Sequence, residues 1–395
     1  MSVHRASAFT PLHALSLLLA SACTPAPPDG GGGGGGDPGT LSPFQEVYDQ
    51  GLTRYVGDPA LEPVDVRDPL AYGDVLVHDF SSADGGPICM RGDDYFVETR
   101  DGEGEELLLF LQPGGVCLDE VCIATSTPTI NLRLLTTGNL VGLGGILDRR
   151  KRMNPFAELD VVNLPYCDGS IFTGDVEREL DGEMAYQRGL QNLTAGLQVA
   201  KARFPNPPRI VLAGSSGGSY GSVAAVALTR YFYPNAPITL ISDSGAPVMT
   251  SANPAFILSA LEQLGIMDLI PTSCVGCIDD GHLTGLLLWA LERDPNLTLA
   301  YMTHSQDATI GQKYMGSTPE QFENDVLAQS GRLVDHYPGR AFRFIVPGDG
   351  HTFLLNLGGT LNDEVVDESG ATTTLWQWLG TLYEDPGSLE NVVQY

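Results

Sequence analysis

Apolar residues along this chain keep two rhythms. Short, largely apolar runs recur at Leu107-Leu-Leu-Phe-Leu111, Asp160-Val-Val-Asn-Leu164, Arg209-Ile-Val-Leu-Ala213, Ile238 to Ile241, Leu297 to Met302 and Phe342 to Val346. Each is too short for a stable helix and too uniformly apolar for a half-exposed strand, so the pattern predicts buried strands. Between them the spacing turns helical. Over Tyr186 to Phe204, Leu190, Leu193, Leu197 and Ala200 share one face, and Ser222 to Phe232 is an Ala/Val-rich buried helix. Strands alternating with helices predict an α/β architecture: a mostly parallel central sheet with helices on both faces. In such sheets ligands bind at the carboxyl ends of the strands.

The N-terminus departs from both rhythms. Met-Ser-Val-His-Arg is followed by a mostly apolar stretch from Ala8 to Ala20 and then Ser21-Ala22-Cys23. The stretch is too short to span a bilayer, and small residues stand where a signal peptidase cuts, so residues 1–23 are expected to be an export signal. Cys23 stands where bacterial lipoproteins carry their lipidated cysteine, although Ala20 occupies a position where Leu is usual. Plain secretion is the alternative. Residues 24–42, with Pro25, Pro27, Pro28 and glycines from Gly30 to Gly36, cannot bury enough apolar surface to order themselves and are expected to form a flexible tether. Residues 43–395 are left as one catalytic domain. No later segment has the roughly 18 uninterrupted apolar residues of a membrane span.

Charge narrows the class further. With 21 Lys+Arg against 49 Asp+Glu, the formal net charge is −28, which gives nucleic-acid binding no electrostatic basis. The acidic residues are spread along the chain and are expected to serve solubility. Six cysteines remain after Cys23: 89, 117, 122, 167, 274 and 277. An even set in an exported chain predicts disulfides. The Cys274-Val-Gly-Cys277 spacing also fits a metal knuckle or a redox pair, but no second CxxC or His pair completes a zinc site.

The chemistry centres on Gly214-Ser215-Ser216-Gly217-Gly218, a GxSxG between a predicted strand and a predicted helix, where the chain must turn sharply. Gly217-Gly218-Ser219-Tyr220-Gly221 fits the same pattern, but Ser219 would already lie in the helix, so Ser216 is the expected nucleophile. A serine hydroxyl needs an imidazole to take its proton and an acid to fix the imidazole tautomer. In the α/β-hydrolase fold these follow in the order Ser, Asp or Glu, His, on loops just past strands. Asp307 follows the strand ending at Met302, and His351 follows the strand ending at Val346; both are the expected partners. Asp243, after the strand ending at Ile241, is the second choice of acid. His304 also follows a strand, but it would precede any later acid; His78, His282 and His336 are placed less well, and His4 and His13 leave with the signal. Oxyanion donors are expected from Gly217 and from Gly114 and Gly115, in the loop after an early strand. No metal or organic cofactor is expected.

With these residues in place the sequence resembles the pectin acetylesterase family, which includes the animal carboxylesterase Notum. The resemblance is carried by Leu109-Phe-Leu-Gln-Pro-Gly-Gly-Val-Cys117, Asn154-Pro, Leu164-Pro-Tyr-Cys-Asp-Gly-Ser-Ile-Phe-Thr-Gly-Asp175, Leu212-Ala-Gly-Ser-Ser-Gly-Gly218 and Ser242-Asp-Ser-Gly245, spanning about residues 85 to 355. It implies an α/β-hydrolase fold, a triad at Ser216, Asp307 and His351, an oxyanion hole at Gly114, Gly115 and Gly217, and bonds between Cys89 and Cys167 and between Cys117 and Cys122. It also places Asp243 on a motif that is not the triad acid. Gln112-Pro-Gly-Gly-Val-Cys117 departs from the family by lacking an aromatic beside the oxyanion loop. The expected function is hydrolysis of a short acyl ester, such as O-acetyl on a glycan, at the cell surface or in the periplasm. Two alternatives are a deacylase of longer chains and a non-catalytic binding module. A deacylase would need a deep apolar pocket, and Pro254 to Leu269 with His282 to Leu291 are apolar enough to cap one, although ordinary helical core is the preferred reading of those segments.

Overall fold

The computed structural model describes residues 42–68, 74–119, 122, 144–180, 182–355 and 362–394. The expected signal 1–23 with Cys23, and the tether apart from Ser42, lie outside the described residues. Fourteen strands are present among them: β1 Asp65–Arg67, β2 Val75–Asp79, β3 Phe96–Arg100, β4 Leu107–Leu111, β5 Asp160–Leu164, β6 Val176–Leu180, β7 Glu183–Gln187, β8 Ile210–Ser215, β9 Ile238–Asp243, β10 Leu297–His304, β11 Ala341–Val346, β12 Val365–Val366, β13 Thr372–Thr373 and β14 Val392–Val393. Ten form one sheet in the order β1-β2-β3-β5-β4-β8-β9-β10-β11-β14. From β5 to β14 every neighbouring pair is parallel, whereas β1, β2 and β3 attach antiparallel at one edge.

Alternation along β4 shows why its residues are all apolar. Leu107, Leu109 and Leu111 join one buried cluster with the helices Gly189–Arg203 and Gly217–Phe232. Leu108 and Phe110 join another, with Trp376, Trp378 and Leu379 of the helix Leu375–Glu384. Both faces of the sheet are therefore covered, and neither tolerates a polar alternation. Within the described residues no helix is long and apolar enough to cross a membrane.

Most central elements lie where the apolar rhythm places them, with shifted ends. The predicted helix over 186–204 starts later, because Glu183–Gln187 pairs with Val176–Leu180 in a hairpin. The helix predicted from Ser222 starts at Gly217, so the turn is confined to Ser216 itself. The strand ending at Met302 continues to His304.

Candidate functional site

Three parallel strands end side by side at the site. Gly214 pairs with Ser242 and Ser215 with Asp243, while Met302 pairs with Asp243 across the next ladder. Directly after β8, Ser216 adopts φ 53° and ψ −119°, a conformation costly for a side-chain-bearing residue, and caps the helix Gly217–Phe232. The turn is tight enough to require its glycines. A Cβ on Gly214 would lie 2.3 Å from the Gly218 carbonyl oxygen, and one on Gly217 would lie 2.2 Å from that of Gly114.

Ser216 Oγ lies 2.9 Å from His351 Nε2, and His351 Nδ1 lies 2.7 Å from Asp307 Oδ2. Asp307 is fully buried, and its other oxygen accepts the backbone N–H groups of Thr309 and Ile310 at 2.9 and 3.0 Å. One carboxylate oxygen is thus committed to its own loop and the other to the imidazole. This arrangement assigns the Nδ1 proton to the Asp307 side and leaves Nε2 free to accept the serine proton.

Gly114 and Gly115 border the same pocket as Ser216 and Gly217. Their loop is held from below by Tyr166, a residue of the Leu164 to Asp175 segment that no catalytic pattern singles out. The Tyr166 hydroxyl donates to the Gly115 carbonyl at 2.6 Å and accepts the Ile171 N–H at 2.7 Å. A Cβ on Gly114 would sit 1.7 Å from the Tyr166 ring. Ile171 and Phe172, at φ 53° and 59°, are left-handed residues fixed in part by that bond.

The rival residues have other surroundings. Ser219 is buried in the helix with its hydroxyl 2.5 Å from Ser242 Oγ. His304 stacks on Phe353 with ring centroids 4.5 Å apart, and burial lowers its pKa. His282 is buried, accepts the Met249 N–H and faces Asp325 at 3.7 Å; His78 contacts Thr99, and His336 contacts the Arg332 carbonyl. Asp243 is fully buried beneath the site and touches Ser215, Ser244, Phe353 and Leu354.

Disulfides join Cys89 to Cys167, Cys117 to Cys122 and Cys274 to Cys277. The first two brace the Tyr166 loop and the oxyanion-side loop. The third leaves no thiolates at 274 and 277 for the metal-knuckle alternative.

The pocket over Ser216 has a cavity volume of about 70 Å³. Its walls are almost wholly apolar: Val116, Leu118, Ile171, Met249, Ile310 and Met315 meet Phe256, Ile257, Ala260, Leu261, Leu264 and Leu283. The last six come from the two segments preferred as ordinary core. Ile257, Ala260, Leu261, Leu264 and Leu283 are buried in the core and also wall the space above Ser216, so both readings of these segments apply. A second apolar space of about 100 Å³ shares Ile171, Tyr220, Leu261 and Leu283 with the first as walls.

The sheet order, the sharp turn after β8 and the helices on both faces are those of the α/β-hydrolase fold. Residues 75–254 match the family model of the pectinacetylesterases. That segment, which holds the Gly114-Gly115 loop and the Ser216 turn, is similar to the pectinacetylesterases. Pectin acetylesterases 11 and 7 of Arabidopsis thaliana are 25% and 26% identical to it over 166 residues, 40% of this chain and 42% of each relative's length. The solved structure of the Wnt deacylase Notum from Drosophila superposes with a TM-score of 0.56 over 80% of this chain and 95% of that one, at 18% identity. Asp307 and His351 lie beyond the family-model match.

Proposed function

We propose that this chain is an exported serine carboxylesterase. His351 takes the proton of Ser216 as the hydroxyl attacks the ester carbonyl, and Asp307 holds the imidazole in the accepting tautomer. The N–H groups of Gly217 and of the Gly114-Gly115 loop stabilise the oxyanion, which collapses to an acyl-Ser216 as the alcohol leaves with the proton from His351. Water, deprotonated by the same imidazole, then releases the carboxylate. The hydrogen-bonded row of Ser216, His351 and Asp307, opening onto an apolar pocket flanked by those glycines, carries this reading.

The pocket bears on the acyl group. An acetyl group needs little more than the carbonyl's own surroundings, whereas walls of this apolarity suit an aliphatic chain, each buried CH₂ of which contributes about 0.8 kcal/mol. We therefore place a longer acyl chain first and O-acetyl on a glycan second, the latter supported by the pectinacetylesterase match of residues 75–254. Hydrolysis of nitrophenyl esters from acetyl to palmitoyl, with Ser216→Ala as control, separates them. Rising kcat/KM with chain length supports the first order and a maximum at acetyl reverses it. No Ser216-dependent turnover on any ester would leave a binding module.

Three disulfides suit an oxidising compartment. The proposed layout is a signal at 1–23, a lipid on Cys23, a tether over 24–42 and a catalytic domain over 43–395. Mass spectrometry of the mature N-terminus from wild type and Cys23→Ala tests the anchor.

A further inference from the structure

Asp243 is a buried carboxylate that the chemistry above does not use. It ends β9 between the strand of the nucleophile and the strand leading to Asp307, and it is fully shielded from solvent. Its bonds run to both halves of the site. On the nucleophile side, Ser215 Oγ donates to Oδ2 at 2.7 Å, and the Asp243 carbonyl accepts the Ser216 N–H at 2.8 Å. On the histidine side, the Phe353 N–H is shared between Oδ1 and Oδ2 at 3.0 Å each, and the Leu354 N–H reaches Oδ2 at 3.0 Å. Ser244 completes the bracket: its hydroxyl donates to Asp243 Oδ1 at 3.2 Å and accepts the Thr352 N–H at 3.0 Å.

Three successive amides after His351 are therefore held by Asp243 and its neighbour. They need holding, because Thr352 is a β-branched residue at φ 60°, a conformation that persists only where its surroundings impose it. Every donor aimed at the carboxylate requires an acceptor, and both oxygens are used. A carboxylate supplies two acceptor oxygens; an amide supplies one and turns a donor toward the other group. Burial pushes the Asp243 carboxyl up, while the amides, the Ser215 hydroxyl and the nearby His351 oppose that shift.

We propose that Asp243 is a positioning residue for catalysis: a single carboxylate that fixes the His351 loop against the Ser216 turn and sets the Ser216–His351 distance. This rests on the esterase reading. It accounts for a carboxylate at the second acid position, one that never contacts the imidazole nitrogen. The ionisable groups around it are His351, Tyr301 from β10 and Asp307 beyond Tyr301, with His304 and Asp349 flanking the histidine loop.

The test compares wild type with Asp243→Asn, Asp243→Ala and Ser244→Ala on a nitrophenyl ester, with melting temperature and amide exchange measured alongside. Loosening the loop misplaces the base, so Asp243→Asn is expected to lower kcat about 30-fold with KM nearly unchanged, and Asp243→Ala to lower it further. Removing a negative charge near His351 disfavours the imidazolium, so the acid limb of kcat/KM moves to lower pH in Asp243→Asn. Ser244→Ala keeps the charge and is expected to lower kcat a few-fold without moving that limb. Exchange at Phe353 and Leu354 should accelerate in both Asp243 variants. A lowered melting temperature with kcat and the acid limb unchanged overturns the proposal in favour of a purely structural role. A loss of about 10⁴-fold in Asp243→Asn, with Asp307→Asn mild, overturns it in favour of Asp243 as the acid. If Asp243→Asn fails to fold, an unaltered kcat in Ser244→Ala counts against the bracket. Wild type inert on every ester sinks the esterase reading alone, because exchange at Phe353 and Leu354 reports on the bracket without turnover.

Discussion

Asp307→Asn tests the orientation of the imidazole, and the structure specifies how it should fail. Asp307 Oδ1 accepts two backbone N–H groups from Thr309 and Ile310, while Oδ2 faces His351 Nδ1. An asparagine at 307 has one acceptor to offer. Turning it toward His351 leaves two amides facing an NH₂ group, at about 1–3 kcal/mol for each buried group left unsatisfied. The side chain therefore keeps its oxygen on Thr309 and Ile310 and presents its NH₂ to Nδ1. That makes Nδ1 the acceptor, moves the ring proton to Nε2 and points an N–H at Ser216 Oγ, where a lone pair is required. Loss of the right tautomer is worth about 10⁴-fold in kcat, or about 5.4 kcal/mol at 1.36 kcal/mol per decade. Steady-state kinetics on the best nitrophenyl ester, with melting temperature to verify folding, measures it. The fold should survive, since the backbone acceptor is kept. A folded Asp307→Asn that retains kcat within tenfold of wild type would refute the assignment and return attention to Asp243.

Other expectations concern separate parts of the molecule. Tyr166→Phe deletes the hydroxyl that joins Gly115 to Ile171; kcat should fall about tenfold through a looser oxyanion loop, and unchanged kinetics would show that the ring alone holds it. Ala260→Phe places a ring in the pocket wall, so the ratio of kcat/KM for dodecanoyl over acetyl esters should drop at least tenfold, an unchanged ratio meaning that the chain binds elsewhere. Burial pushes Glu98 up to about 7, although Asn163 donates to it at 2.7 Å. Because the folded state holds that proton above the unfolded pKa, stability attributable to Glu98 is full at pH 4 and declines as pH rises toward 7. Glu98→Gln should therefore gain on the order of 2 kcal/mol at pH 8 and nothing at pH 4, by urea unfolding at both; an equal effect at the two pH values would mean that Glu98 is not protonated in the fold.

The central sheet was legible because strands buried on both faces carry few polar residues to confuse the rhythm. Leu107–Leu111 and Asp160–Leu164 lie where their apolar runs end. The antiparallel edge was not legible. In Phe96–Arg100, Glu98, Thr99 and Arg100 are buried although polar, their cost met by partners such as Asn163 and the Leu147 carbonyl that only the folded chain supplies. The hairpin of Val176–Leu180 with Glu183–Gln187 was hidden for another reason: half-exposed charged strands leave too weak an apolar period to set against the helix that follows.

The site was legible in its order and obscure in its surroundings, for one physical reason. Ser216, Asp307 and His351 follow strand ends, and strand ends can be read from the apolar runs before them. A pocket wall has no such local mark. Phe256, Ile257 and Leu261 are spaced as any buried helix face is, because the forces that line a cavity with apolar side chains are those that fill a core. The difference lies in what fails to pack opposite them, and that is set by the elements bearing Leu118, Met249 and Met315, distant in sequence. Asp243 is obscure in the same way. A carboxylate after a strand reads as a catalytic acid until the strand order puts β10 between it and the strand that leads to His351, and its oxygens are found on backbone N–H groups and not on the imidazole. Ser, Asp and His order along a chain therefore limits which residues can react, while neighbouring strands decide which carboxylate acts on the imidazole and which acts on the loop that carries it.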